Sequence, residues 1–237
     1  MITKYNIFVF TFLFLLSRNC VAQDSNFEQG YKMQIFDINL NAGKFSGIMN
    51  ENFNENYNFG LGLSYQRQFK ENSPVFVGID VNFQFLDILY TDYTTYIDNE
   101  PVDVQSSTST FEMILVPKVR YYLPFEFFKI SPFAELGLGY KWIFTSNTLD
   151  YVDSDDSESD IAQSSGSLGY CFGGGFNIGI SESVFLLAKI AYSNGNSATY
   201  LVKNKNIDSN SNSLDSFSKK SSPTNMWLYQ LGVSIFF

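Results

Sequence analysis

Between residues 57 and 69 the chain alternates bulky residues with small or polar ones. Tyr57, Phe59, Leu61, Leu63 and Tyr65 are interleaved with Asn58, Gly60, Gly62, Ser64 and Gln66. Successive side chains of a β-strand point to opposite faces, so such a segment has one greasy face and one small, polar face. The pattern returns at 75–85, 111–121, 135–144, 168–180, 184–192 and 227–237, with a weaker copy at 31–43. Eight strands follow, and the segments between them alternate in length. Those at 70–74, 124–129 and 181–183 are short, whereas 45–55, 88–107, 146–166 and 194–224 are long and polar. That alternation is expected when all tight turns lie at one end of an antiparallel array and all long loops at the other.

Two architectures alternate in this way. A soluble sandwich or ligand-binding barrel turns the apolar face inward. A membrane barrel turns it to lipid and keeps a polar interior. The polar face of this chain carries Gly, Ser, Asn and Gln with few charges, as a confined interior would. Aromatic residues fall into two groups. Tyr57, Tyr90, Trp142, Tyr192 and Trp227 lie near the long loops, and Phe69, Tyr121, Phe125 and Phe237 near the short turns. Two such girdles match the two interfaces of a bilayer. The fold class read from the pattern is all-β, an eight-stranded antiparallel up-and-down transmembrane barrel. Pro117 falls inside a strand and cannot donate a ladder hydrogen bond, so a bulge is expected there, or a neighbour without a matching acceptor.

The first 22 residues have a different character. Lys4 precedes an apolar run at 7–16, and Cys20-Val21-Ala22 precedes Gln23. This is the pattern of a cleaved secretory signal peptide, too short for a spanning helix. A lipoprotein with Cys20 acylated is disfavoured by Arg18 and Asn19, which stand where small residues are expected. The expected domains are a signal peptide at 1–22 and a barrel at 23–237. Cleavage would leave Cys171 as the one cysteine, without an intrachain disulfide partner. It would also leave 13 basic against 24 acidic residues, a balance that does not seek nucleic acid.

The signal peptide, the eight alternating strands and the aromatic last strand at 227–237 resemble the small outer-membrane β-barrels of the OmpA, OmpX and opacity-protein type. The resemblance implies short periplasmic turns, long extracellular loops and outer-membrane lipid as the surrounding medium. It also implies that Tyr229, Leu231, Val233, Ile235 and Phe237, on one face of the last strand, form the signal read by the barrel assembly machinery. No catalytic motif comes with it. Nothing in the sequence corresponds to the peptidoglycan-binding domain of full OmpA-like proteins.

An eight-stranded barrel is only wide enough to be filled by side chains, so a general diffusion pore is not expected. The inward charges are Asp37, Asp80, Glu112 and Glu135 against Lys118, Arg120, Lys141 and Lys189. Buried charge needs partners. If residue 123 faces 130 across the short turn, a single register sets Glu112 opposite Lys141 and Glu135 opposite Lys118. These pairs, with Arg120 beside them, are expected to plug the interior.

Residues 150–160 hold six acids and no base, but Glu158 stands where an EF-hand loop needs glycine. The segment reads as a solvated loop tip. The Ser- and Asn-rich segment 194–224 reads as mobile surface rather than a folded lid. The chain has no histidine and no recognisable Ser-Lys arrangement, so neither an enzyme nor a cofactor is expected. What remains is a structural protein meeting surface ligands through its loops. The alternative is a narrow channel for small or amphipathic solutes.

Overall fold

The computed structural model describes residues 32–53, 57–97, 99–124, 129–152, 157–204 and 211–237. The expected signal peptide, Phe125 of the short-turn girdle and the acidic tip at 153–156 lie outside them. Eight strands close into one antiparallel ring. They are β1 (Gln34–Phe45), β2 (Asn58–Gln68), β3 (Val75–Ile97), β4 (Glu100–Tyr122), β5 (Ile130–Tyr151), β6 (Ser157–Gly179), β7 (Val184–Ser193) and β10 (Met226–Phe236). Each neighbours the next in sequence, and β10 pairs with β1 to close the ring. Closure removes the free edges that hydrocarbon cannot solvate.

The alternation sets the direction of every side chain. Leu40, Leu61, Leu138 and Leu231 face outward, and Leu138 is 73% exposed. Asn39, Asn82, Gln84 and Gln230 face inward and are buried. So much apolar surface on a closed wall is the signature of a protein whose solvent is lipid. Tyr57, Tyr90, Trp142 and Trp227 stand exposed toward the long-loop end, and Phe69, Tyr121 and Phe237 toward the short-turn end.

Four strands are far longer than a membrane needs. β3, β4 and β6 have 23 residues and β5 has 22, where about 9–11 suffice to cross. The segments 88–107 and 146–166, read from sequence as loops, are largely strand. The Thr, Tyr and Val content of 88–107 suits the pleated state, and the Ser- and Asp-rich 146–166 is carried by pairing to it, so that the two form tall hairpins joined to each other between Val104 and Tyr151. The ladder shifts register between Phe85 and Asp87 and between Thr145 and Ser146, where those hairpins leave the ring. Bulges gather at barrel rims because they bend a strand away from the cylinder. No shift occurs at Pro117. The β4–β5 pairing is interrupted at Val116 and Pro117 and resumes in the same register.

The largest departure from expectation is 194–224. Within it, β8 (Ser197–Lys203) and β9 (Phe217–Pro223) form a hairpin, with a 3-10 turn at Ser213–Ser216. Ala198, Tyr200 and Val202 share one face of β8 and are buried, as is Leu201 between them on the other face. The hairpin is a folded lid over the long-loop mouth. A short helix, α1 (Ile48–Asn52), joins it there.

Candidate functional site

The barrel interior is layered. At the short-turn end an aromatic floor is built from Phe76, Tyr122, Phe133 and Phe236, with ring centroids 5.4 to 6.3 Å apart. Above it lies a charged layer. Arg120 donates from Nε to Glu135 at 2.5 Å and from Nη2 to Asp37 at 2.8 Å. Lys118 reaches Asp80 and Glu135, both at 2.7 Å. Lys189 reaches the same two carboxylates at 2.9 and 3.0 Å. Three acids and three bases from β1, β3, β4, β5 and β7 thus neutralise one another across the lumen. The guanidinium carbon of Arg120 also lies 4.1 Å from the Phe133 ring centre, tying this layer to the floor.

Two inward glycines make the layer possible. Gly173 on β6 pairs with Glu135, and Gly175 pairs with Lys189. With no side chain between them, the Lys189 ammonium crosses β6 to reach Glu135. A Cβ at Gly173 would lie 2.5 Å from the Ile190 carbonyl oxygen, so the close approach itself excludes other residues.

The next layer is made of amides. Gln230 Nε2 lies 3.0 Å from Asn39 Oδ1, 2.7 Å from Asn41 Oδ1 and 2.6 Å from Asn82 Oδ1. Above them the interior turns apolar. Ile114, Val116 and Ile143 face inward and meet Tyr200 and Val202 of the lid and Met49 and Phe53 at α1. Tyr200 is held by its hydroxyl, which accepts from Asn52 Nδ2 at 2.8 Å and lies 2.6 Å from Ser222 Oγ. At the top, Ser213 Oγ sits 2.8 Å from Ser106 Oγ and 2.6 Å from Thr108 Oγ1.

The register between β4 and β5 is displaced by two residues from the one expected. Leu123 donates to Pro132, so the turn is longer than assumed. Arg120, not Lys118, is directly opposite Glu135, and Lys118 reaches Glu135 on the diagonal. Glu112 faces Ile143, and Lys141 faces Ile114. The expected Glu112–Lys141 ion pair is therefore not formed. Lys141 instead donates to the main-chain carbonyls of Ser193, at 3.2 Å, and of Thr224. Both oxygens of the buried Glu112 carboxylate lack a hydrogen-bond partner. A shift of two keeps each residue on its own face, so side-chain direction survived where partners did not.

Sequence reasoning missed the inward Ile114, Val116 and Ile143. It also missed the lid, although the apolar face of Ala198, Tyr200 and Val202 was present to be read. Of the last-strand residues, Tyr229, Leu231 and Ile235 are exposed on the lipid-facing side and Val233 is half-buried there; Phe237 follows the strand. Among the described residues no cluster of three or more acidic or cysteine side chains could hold a metal ion.

A closed wall with a lipid-facing exterior and a salt-bridged interior defines an integral outer-membrane barrel. The outer membrane protein beta-barrel domain family matches residues 8–215, and the chain belongs to that family. Solved structures with a similar fold include a major outer membrane protein from Thermus thermophilus, 15% identical, covering 86% of this chain and 99% of that one, with a TM-score of 0.42. OprG from Pseudomonas aeruginosa is 12% identical, covering 88% and 98%, with a TM-score of 0.43. Outer membrane protein W of E. coli is 13% identical, covering 89% and 100%, with a TM-score of 0.41. No curated protein matches the sequence.

Proposed function

We propose that the protein is a closed, non-enzymatic scaffold of the outer membrane that meets surface ligands through its long-loop end. The observation that carries this reading is the obstructed lumen. A neutral six-residue ion-pair layer crosses it, and a folded hairpin fills its mouth. Paired interior charge also serves stability in any narrow barrel. The tall hairpins β3–β4 and β5–β6 offer a projecting surface for a partner. The absence of histidine supports a non-catalytic role, since a serine without a base is a poor nucleophile. In this reading the segment 1–22 directs export and is cleaved. The barrel assembly machinery reads Tyr229, Leu231, Val233, Ile235 and Phe237.

Planar-bilayer conductance tests the reading. A flat trace with the purified, refolded protein is the expected result. Steady ion conductance would overturn it in favour of a narrow channel for small or amphipathic solutes. Binding to cell-surface or matrix preparations should be lost when the hairpin tips are shortened.

A further inference from the structure

Lys141 lies deep in the barrel, on β5, with its side chain fully buried. Its ammonium is not bound to Glu112, the acid expected to draw it. It sits on two main-chain carbonyls at the roots of the lid. Ser193 ends β7 just before the hairpin, and Thr224 follows β9 just after it. The roots are fitted to that side chain. Ser167 Oγ lies 2.9 Å from Thr224 Oγ1, and a Cβ at Gly195 would lie 3.2 Å from Lys141 Cδ.

Glu112 is the other half of the arrangement. It is fully buried on β4, and both its oxygens are without a partner. Glu112 opposes Ile143 while Lys141 opposes Ile114, so the two charged residues are diagonal neighbours on the inner wall. A diagonal separation lies within reach of a lysine side chain. An unpaired buried carboxylate beside a lysine committed elsewhere is a costly ground state. A lysine that changes partner would relieve it. We infer that Lys141 is the latch of the β8–β9 lid and that Glu112 is the site to which its ammonium moves when the lid lifts.

The remaining lid contacts fit a hinged element. Thr199 N donates to Ser165 Oγ at 3.1 Å, and Lys203 lies 3.5 Å from Asp87 at the surface. Beneath the hairpin the packing is otherwise apolar or neutral. Lys141 is thus a buried cation whose hydrogen bonds reach both roots of the lid. In the charged layer below, every ion is already paired within the layer, so none need move with the lid.

Hydrogen exchange read by mass spectrometry on the full chain in nanodiscs tests the inference. Exchange in β10 serves as the control for an intact barrel. Lys141→Met should speed exchange at 198–202 by about ten- to a hundredfold, the range expected from losing a charge-assisted hydrogen bond. Glu112→Gln should slow it, because the competing site is gone. In the Lys141→Met background, Glu112→Gln should have no effect on the lid. That dependence separates a latch from a merely structural lysine. Unchanged lid exchange in Lys141→Met with β10 protected would overturn the inference. So would a Glu112→Gln effect of equal size with and without Lys141.

Discussion

Glu135 and Glu112 are both buried inside the same barrel, yet removing their charges should have opposite consequences. Glu135 accepts from Arg120, Lys118 and Lys189 at 2.5 to 3.0 Å. Glu135→Gln leaves three cations facing Asp37 and Asp80 alone. Breaking a buried pair by removing one partner costs about 3–5 kcal/mol. The loss is not three times that, because Asp80 still holds both lysines and Asp37 still holds Arg120. With a urea slope of about 1–3 kcal/mol per molar, the unfolding midpoint should fall by at least about 1 M. Glu112→Gln removes a carboxylate with no partner, so its midpoint should stay level or rise. The assay is urea unfolding in detergent micelles, followed by circular dichroism and by the heat-dependent gel shift of folded barrels. Equal destabilisation by the two variants would refute the assignment of partners. So would a Glu135→Gln midpoint indistinguishable from wild type.

Leu231 lies mid-strand on β10 and is 67% exposed, so Leu231→Arg should cost about 2–4 kcal/mol in a bilayer, measured by folding into vesicles over a urea series. Gly232→Ala should impair folding, because a Cβ there collides with the Ile38 carbonyl oxygen on β1. Gly139→Ala should be tolerated, since its nearest neighbours lie 4.0 Å away, and the heat-dependent gel shift distinguishes the two variants.

The period-two pattern was enough to place Leu231 outside and Gln230 inside, and likewise for the ring as a whole. It worked because every residue of a transmembrane strand answers to lipid or lumen. The same logic was blind to register. Moving Arg120 rather than Lys118 opposite Glu135 changes no residue's face, and the turn that decides it left no hydrophobic trace. Ile114 and Ile143 went unread for a different reason. An apolar residue inside a polar lumen makes sense only once Tyr200 and Met49 are known to descend on it, and that is a long-range contact. The lid was hidden by composition, because serine and asparagine around a seven-residue strand outweighed the apolar face within it. Lys141 was recognised as inward, but its partners are main-chain carbonyls, which every residue carries and no sequence distinguishes.

The charged layer ties together β1, β3, β4, β5 and β7, five staves of an eight-stave cask. Hydrogen bonds between neighbouring strands resist separation around the circumference but do little against flattening. Ion pairs that span the diameter act as spokes, holding the cross-section round under lateral pressure from the bilayer. Loosening the hub at Glu135 would let the wheel go oval before any rim bond breaks.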